Sequence, residues 1–398
     1  MLTKKFGPHD SPPENLVSEK HRQALRPWRF GKELPLVSIV IPTYNRARWL
    51  GESVESALAQ DYPRLEVLVV DDGSTDKTSE IIKGFTDPRL RYLKKEHTGA
   101  PATRNCGILQ AKGDFILWLD SDDILLPHTV TREIEVLSKF PEAGLVYGDK
   151  INIDGEGRET GHRGRTVDYW DIDPLSDMIW RAPGHGGSMV RRSVYEKYGL
   201  FDERFVRAQD VEFWSRIARE VRFKHAGCFV LWRRIHDSQM SGDMRRKDLD
   251  TSYEMEIVER LVARYPLRRL FPAFFRDGAV LGECRAYLAL AQIAVHWKNA
   301  NRAHFYFREA AARFRTVGHR GRRAIAKELD AFLHISYLAA SPYFLAEAIA
   351  AARSFPWSLA SWRRLAMIAV PSSLRLPLCK FKERMFERER CRGNPVHP

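Results

Sequence analysis

Four consecutive residues, Asp120-Ser121-Asp122-Asp123, follow directly on an apolar run at residues 115–119. Mg²⁺ and Mn²⁺ prefer oxygen ligands, and Mg²⁺ is usually held by one or two carboxylates together with substrate phosphates. Alternate residues at the end of a strand can converge on one ion once the chain leaves the sheet. An Asp-rich turn that caps the next helix is the simpler alternative. The apolar strand immediately before the turn favours the metal site.

A second polar turn, Asp-Asp-Gly-Ser-Thr-Asp at residues 71–76, follows another apolar run. A carboxylate at a strand end can accept hydrogen bonds from a nucleobase or from ribose hydroxyls. Ser, Thr and Asp are also good N-caps for the helix that follows. Both roles can coexist on different residues of this turn. A third turn of this kind, Thr-Tyr-Asn at residues 43–45, also follows an apolar run.

These turns are positioned by apolar strands that alternate with amphipathic helices, a pattern typical of βαβ units in a mainly parallel sheet. The strands are predicted from β-branched and apolar runs at residues 37–42, 65–70, 89–93 and 115–119. Such sheets bind ligands at the carboxyl ends of their strands, where the three polar turns are expected to meet. From about residue 241 onward the pattern is helical, and one pair of helices resembles a tetratricopeptide-like hairpin without a second copy.

Four stretches of this region resemble the successive motifs of glycosyltransferase family 2, the inverting nucleotide-sugar transferases of GT-A fold. They are VSIVIPTYNR, EVLVVDDGSTDKT, GAPATRNCGI and GDFILWLDSDD. Two later stretches, GGSMVRRSVYEKYGLFDERFVRAQDVEFWSRIA and CFVLWRRIHDSQMS, resemble later segments of the same family. The resemblance runs from about residue 37 to residue 241. It implies an α/β GT-A fold with a Rossmann-like, mainly parallel sheet flanked by helices, followed here by an all-helical region.

Carried over by motif, the resemblance implies a nucleotide-diphosphate sugar donor and residues that bind it. Asp120 and Asp122 are the implied Asp-x-Asp pair for Mn²⁺ or Mg²⁺, and His236 completes the metal or phosphate site. Arg104 is expected near the diphosphate or the aspartate cluster. The other implied donor-binding residues are Pro42, Thr43, Tyr44, Asn45, Asp71, Asp72 and Ser121.

The catalytic base of this family is usually the Asp of a Glu-Asp pair that begins a helix. This sequence has Gln209-Asp210, so Asp210 matches the base while its acidic neighbour is replaced. Glu212 is the alternative base, and the residues alone leave open that Asp210 only caps the helix. The implied reaction is a single in-line displacement, in which Asp210 takes the proton of an acceptor hydroxyl.

We divide the chain into a tail at residues 1–34, a GT-A domain at 35–241, a helical domain at 242–340 and a basic amphipathic segment at 341–398. No apolar leader and no clean run of about 18 apolar residues is seen. The five cysteines offer no disulfide framework, so we expect a cytoplasmic protein. The C-terminal segment indicates either an interfacial helix on an anionic membrane or a packed helix with a solvated basic face.

We predict a metal-dependent, inverting and non-processive transferase that acts on a glycan or lipid-linked acceptor, in the assembly of cell-surface polysaccharide, lipopolysaccharide or glycolipid. The alternative is a non-catalytic sugar- or nucleotide-binding protein of the same fold. A net charge of +13 also permits a nucleic-acid binder. No recognised nucleic-acid motif accompanies the basic residues, so no nucleic-acid partner is expected. A nucleotidyltransferase would need a Gly-rich phosphate loop, which we do not find.

Overall fold

A computed structural model describes residues 33–164, 168, 184–239, 252–297 and 299–316. The predictions for most of the N-terminal tail and for the basic segment at 341–398 lie outside this range. The strands are β1 (Val37–Thr43), β2 (Leu65–Asp71), β3 (Leu90–Lys94), β4 (Phe115–Trp118), β5 (Ile124–Leu125), β6 (Ala143–Ile153), β7 (Glu159–Gly164), β8 (Met189–Arg191) and β9 (Arg222–Arg234). The α-helices are α1 (Leu50–Leu58), α2 (Thr78–Lys83), α3 (Ala100–Gln110), α4 (Thr129–Lys139), α5 (Arg192–Tyr198), α6 (Gln209–Ile217), α7 (Ser252–Arg264), α8 (Leu267–Leu270), α9 (Ala279–His296) and α10 (Ala300–Thr316).

The strands form one mixed sheet in the order β3-β2-β1-β4-β8-β6-β9-β5, with β7 paired to β6. The four strands predicted from apolar runs, β1 to β4, are mutually parallel. Strand β8 then pairs antiparallel with both β4 and β6, and β9 is parallel to β6. The predicted fold class is confirmed, although the sequence patterns did not reveal the antiparallel pairs.

The central strands are buried on both faces, which explains their continuous apolar runs. Successive side chains of a strand point to opposite faces. On β1, Ile39 and Ile41 join the core cluster under α1 and α4, whereas Val40 joins the cluster that contains α3 and α6 residues. Helices therefore cover both faces of the sheet, and the polar turns lie at the carboxyl ends of its strands.

The helical region packs on one of these two core clusters. Residues of α6, such as Phe213 and Trp214, belong to the same buried cluster as Leu261 of α7 and Phe307 of α10. Helices α9 and α10 pack side by side as a hairpin. The predicted helical continuation is therefore present, and it shares its core with the α/β region. Within the described ranges, no helix is both long and apolar enough to cross a membrane.

Candidate active site

A cavity of about 830 Å³ lies at the carboxyl ends of β1, β2 and β4, against the first residues of α6. It brings together most of the residues that the sequence singled out. Those that line it are Pro42, Thr43, Tyr44, Asp72, Arg104, Asp120, Ser121, Asp122 and Asp210. Parallel strands present their carboxyl ends at one edge, and the register of β1 against β2 pairs Thr43 with Asp71.

An ion pair joins two of the predicted motifs. Arg104, on α3, donates from Nη2 to Oδ1 of Asp120 at 2.9 Å. The Nε and Nη1 atoms of Arg104 are buried and have no hydrogen-bond partner among the described residues. Buried donors without partners are costly, and a guanidinium matches phosphate oxygens in shape and charge. Arg104 can therefore hold Asp120 and a diphosphate at the same time.

The other carboxylates of the turn face the last strand. Asp122 Oδ2 lies 3.0 Å from Nε2 of His236 and 3.5 Å from Nε of Arg46. Asp123 accepts a hydrogen bond from the backbone amide of Arg234 at 2.8 Å. Burial raises the pKa of Asp123 well above its usual range, and the charges of Asp120 and Asp122 add to the effect. Asp120, Asp122 and Asp123 all line the cavity, and the bond from Arg234 also ties Asp123 to the last strand, which holds the turn in place.

The predicted metal ligands were tested against this geometry. In the part of the chain that is described, no group of three or more His, Cys, Asp or Glu side chains is gathered as a metal cage. Asp120 faces Arg104, whereas Asp122 and His236 contact each other and His236 does not line the cavity. Two carboxylates at one cavity still fit a hard cation that takes its remaining ligands from a diphosphate and water. The two carboxylates are therefore suited to an ion that binds together with the nucleotide.

At another part of the cavity, two rings form a stacked pair. The rings of Tyr44 and His97 lie 4.1 Å apart between centroids and 23° from parallel. Tyr44 is 40% exposed, so the pair presents an aromatic surface to an entering ligand. Asp72 lies beside it and accepts hydrogen bonds from Lys95 and from the amides of Thr98 (3.0 Å) and Gly99 (2.8 Å).

The hydrogen bonds to Asp72 decide its charge. Burial alone would raise the pKa of this carboxyl, but Lys95 and the two backbone amides hold the pKa below its usual value. Asp72 is therefore an ionised residue whose oxygens are largely engaged by its own chain. Its position beside the stacked rings agrees with the predicted nucleobase end, and its predicted contact with the base stays a prediction.

Two predicted donor-binding residues do not line the cavity. Asp71 accepts hydrogen bonds from the amide of Ser74 (2.8 Å) and from the hydroxyl of Tyr92 (2.5 Å). The side-chain oxygen of Asn45 accepts one from the amide of Thr75 at 2.9 Å. Both side chains therefore fix the turn at residues 71–76 in place. The residue of this turn that bonds the start of the next helix is Asp76, which accepts from the amide of Thr78 at 3.0 Å.

Asp210 is the second residue of α6 and lines the cavity. Burial raises the pKa of Asp210, and the positive charge of Arg104 opposes the rise. A raised pKa suits a group that must accept a proton near neutral pH. Glu212, the alternative base, does not line this cavity. Its carboxylate lies 3.0 Å from Arg216 and forms an i,i+4 ion pair along α6.

Several residues that line the cavity were not predicted from the sequence. The prominent ones are Lys150, His185, Arg233, Glu254, Ile257, Val258 and Trp297. Lys150 and His185 fall between residues 123 and 186, a stretch that none of the family motifs covers. The Gly-His-Gly-Gly run around His185 was the one available signal, because glycines mark close approaches of the backbone. The last four residues belong to the helical region, which the family resemblance does not cover.

Comparison with known proteins identifies the family of the α/β region. Residues 38–199 match the model of the family described as Glycosyl transferase family 2. This part of the chain is a glycosyltransferase family 2 domain. The family that the sequence motifs indicated is thereby confirmed. Asp210 and His236 follow the matched range, so their roles rest on the motifs and on the cavity.

Curated relatives resemble the family 2 domain and the residues just after it. An uncharacterized glycosyltransferase of Rickettsia prowazekii is 33% identical over 216 residues, which are 52% of this chain and 65% of the relative. The chondroitin synthase of Escherichia coli is 28% identical over 260 residues, covering 64% of this chain and 36% of the synthase. The chain thus spans just under two thirds of the first relative and about a third of the second.

Two transferases are among the solved structures to which the chain is similar. The S. aureus TarS 1-349 complex with UDP-GlcNAc has 18% sequence identity and a TM-score of 0.47, with 84% of this chain and 90% of that chain covered. A mannosyltransferase from Pyrobaculum calidifontis, in complex with GDP-Man and Mn²⁺, has 21% identity and a TM-score of 0.41, with coverage of 84% and 92%.

Proposed function

We propose that this protein transfers a sugar from a nucleotide-diphosphate sugar to an acceptor hydroxyl, with inversion at the anomeric carbon. The observation that carries the proposal is the shared cavity of Arg104, Asp120 and Asp210. Arg104 offers unpaired N–H donors to a diphosphate, and Asp210 offers a carboxylate with a raised pKa. The anionic leaving group needs the positive charge and N–H donors of Arg104. The attacking hydroxyl needs a group such as Asp210 that accepts its proton.

The proposed step is a single displacement. The acceptor oxygen attacks the anomeric carbon and its proton moves to Asp210, while the bond from that carbon to the diphosphate oxygen breaks. The nucleoside diphosphate leaves with the bonding electron pair. General-base assistance of this kind typically contributes about 10²–10⁴-fold to the rate. Asp210 is assigned the base because it lines the cavity, whereas Glu212 is paired with Arg216.

Charge on the departing diphosphate is balanced by groups around the Asp120 turn. Arg104 and Lys150 line the same cavity. Arg104 supplies positive charge there, whereas burial lowers the pKa of Lys150 and the nearby Asp123 opposes that effect. Asp120 and Asp122 are the residues that would hold Mn²⁺ or Mg²⁺, with His236 fixing Asp122. Such an ion, when bound, neutralises charge that develops on the leaving diphosphate. The stacked pair of Tyr44 and His97 would take the face of the nucleobase.

The acceptor is proposed to enter from the helical region. Beyond Asp210, the cavity wall is formed by Ile257 and Val258 of α7 and by Trp297. Glu254 of α7 also lines it and pairs with Arg207 at 3.7 Å. An apolar wall with a few polar groups suits a sugar ring, which presents C–H groups on its faces and hydroxyls at its edge. A glycan or lipid-linked acceptor, extended by one sugar at a time, fits this wall.

The biological setting remains part of the proposal. The likeness to a protein named chondroitin synthase supports a role in building cell-surface polysaccharide, lipopolysaccharide or glycolipid. Cytoplasmic location with peripheral contact to an anionic membrane stays a prediction. It rests on the basic segment at 341–398, which lies outside the described residues.

A donor screen tests the proposal. The full-length protein is incubated with UDP-glucose, UDP-galactose, UDP-GlcNAc, UDP-glucuronic acid and GDP-mannose in the presence of Mn²⁺ or Mg²⁺. Release of the nucleoside diphosphate is measured with and without simple glycosides as acceptors. We expect slow hydrolysis of one donor, stimulated by an acceptor and lost in Asp210→Asn. Tight donor binding with no turnover for any pair would instead support the non-catalytic binding protein of the same fold.

A further inference from the structure

His185 is a buried side chain of the cavity whose ring nitrogens lack partners. The residue is 5% exposed and lines the cavity. Its ring packs against Trp118, with centroids 4.6 Å apart, and against Phe201 at 5.5 Å. Neither Nδ1 nor Nε2 has a hydrogen-bond partner in the part of the protein that the structure describes. Buried polar groups are nearly always hydrogen-bonded. We therefore expect a bound ligand to supply the hydrogen-bond partners of these two nitrogens.

Glycines flank His185 on both sides. A Cβ atom at Gly184 would meet the flexible end of Lys150, and one at Gly186 would lie 3.4 Å from Oδ2 of Asp120. The backbone on either side of His185 therefore passes close to Lys150 and to Asp120. His185 thus lies near Lys150 and Asp120, two of the residues that the proposed function places around the diphosphate.

His185 also lies next to the helix that carries the proposed base. Its ring centroid is 6.0 Å from that of Trp214 on α6, and the charges of Arg104 and Lys150 act on both His185 and Asp210. The side chain therefore borders both α6 and the backbone that passes the Asp120 turn. In an in-line displacement, the anomeric carbon must lie between the leaving diphosphate and the attacking oxygen. The transferred sugar consequently occupies the space between Asp120 and Asp210, which is the space that His185 faces.

We propose that His185 is a specificity-determining residue that binds a hydroxyl group of the transferred sugar, an inference that rests on the proposed function. Burial pushes the pKa of this imidazole well below its ordinary value, and Arg104 adds to the effect. A neutral imidazole has one nitrogen that donates and one that accepts. A hydroxyl group, or a pair of neighbouring hydroxyls, complements both nitrogens. The donor is therefore expected to carry a free hydroxyl at the ring position that meets His185.

The test compares binding of each nucleotide sugar with binding of its nucleoside diphosphate. Isothermal titration with UDP, UDP-glucose, UDP-galactose, UDP-GlcNAc, GDP and GDP-mannose gives the extra affinity that the sugar supplies. His185→Phe keeps an aromatic ring against Trp118 but removes both nitrogens. We expect this variant to bind UDP or GDP normally and to lose about tenfold of the sugar-dependent affinity, the usual size of one or two neutral hydrogen bonds.

Two matched variants separate hydrogen bonding from packing. His185→Gln can donate and accept, so it should recover part of the lost affinity. His304→Phe makes the same exchange on α10, away from the cavity lining, and should leave the sugar-dependent affinity unchanged. Unchanged affinity in His185→Phe would overturn the proposal, and so would an equal loss for UDP and UDP-sugar. A wild-type protein that gains no affinity from any of these sugars would overturn it as well.

A second measurement uses the wild-type protein and His185→Gln, and it covers the case in which His185→Phe does not fold. The tightest nucleotide sugar is compared with analogues that lack one ring hydroxyl each. We expect the loss of affinity to fall mainly on one hydroxyl, and His185→Gln to reduce that loss. Equal losses at every position would contradict the proposal. Failure of the proposed function looks different, because the sugar would then be bound through His185 but never transferred.

Discussion

The guanidinium of Arg104 and the carboxylate of Asp120 lie 2.9 Å apart, although one belongs to helix α3 and the other to the turn after strand β4. The Arg104 side chain is only 10% exposed. Two of its nitrogens have no hydrogen-bond partner in the described ranges. The pair therefore couples the position of the aspartate turn to the occupancy of the diphosphate site.

This pair leads to a first prediction. Arg104→Gln should weaken UDP binding by about 10- to 100-fold, because hydrogen bonds to charged groups contribute about 1.5–3 kcal/mol. Arg104→Lys keeps the charge but loses the planar set of donors, so its loss should be smaller yet measurable. Isothermal titration with UDP measures both, and the exposed Arg158→Lys serves as the control. Normal UDP affinity in Arg104→Gln would remove Arg104 from the diphosphate site.

A second prediction concerns the divalent ion. If Asp120 and Asp122 hold Mn²⁺ or Mg²⁺ together with the diphosphate, EDTA should weaken UDP binding strongly in the wild-type protein. Asp120→Asn and Asp122→Asn should show weak binding with or without EDTA, because the ion is no longer held. Titration of UDP in Mn²⁺ and in EDTA gives the comparison. Equal UDP affinity for the wild type in both buffers would refute the metal assignment.

A third prediction separates the base from its neighbour on α6. Asp210→Asn should keep UDP affinity and lower turnover by about 10²–10⁴-fold, the usual share of a general base. Glu212→Gln should change turnover far less, because Glu212 lies outside the cavity lining and pairs with Arg216. Its effect should appear as reduced thermal stability instead. Steady-state kinetics and thermal unfolding of both variants test this pair, and near-normal turnover in Asp210→Asn would mean that another residue is the base.

The pH dependence follows from the same carboxylate. Burial raises the pKa of Asp210, with Arg104 opposing the rise, and the base works only when it is ionised. As pH falls through that raised pKa, Asp210 becomes protonated and kcat declines. The decline should therefore begin at higher pH than for an exposed aspartate, whose pKa is about 3.9. A profile of kcat from pH 4 to pH 8 measures this decline. The residual rate of Asp210→Asn should not show the decline at low pH.

A final prediction concerns the basic C-terminal segment. Deleting residues from 357 onward should reduce association with anionic liposomes while leaving UDP binding and thermal unfolding nearly unchanged. The expectation comes from composition, since Trp and aliphatic residues alternate with Arg and Lys there. Liposome flotation of the full-length and shortened proteins provides the measurement. If both float equally, the segment has no membrane role.

The meeting of the three polar turns could be predicted because parallel strands with crossover helices leave few topologies. The sequence alone could not show which of Asp71 and Asp72 lines the cavity. The two are adjacent, yet Asp71 bonds Tyr92 and Ser74 away from the cavity lining, whereas Asp72 lines it. Successive strand residues point to opposite faces. If the predicted end of the strand is wrong by one residue, the residue expected to line the cavity and the residue expected to hold the turn are therefore exchanged.

His185 and Lys150 were beyond sequence reasoning for a different reason. Their place in the cavity depends on β8 and β6, which pair with each other and with distant strands. Strand β8 has three residues, Met189–Arg191, too few to display a two-residue period. The unpaired nitrogens of His185 become visible only once Trp118 and Phe201, which come from remote parts of the chain, enclose the ring.

Helix α7 borders the cavity but follows the part of the chain that matches the family. Ile257 and Val258 therefore face the proposed acceptor, while the residues around Asp120 face the donor. The two halves of the cavity are encoded by separate stretches of the gene. In the proposed function, substitutions on α7 would consequently alter which acceptor receives the sugar while leaving the residues around Asp120 unchanged.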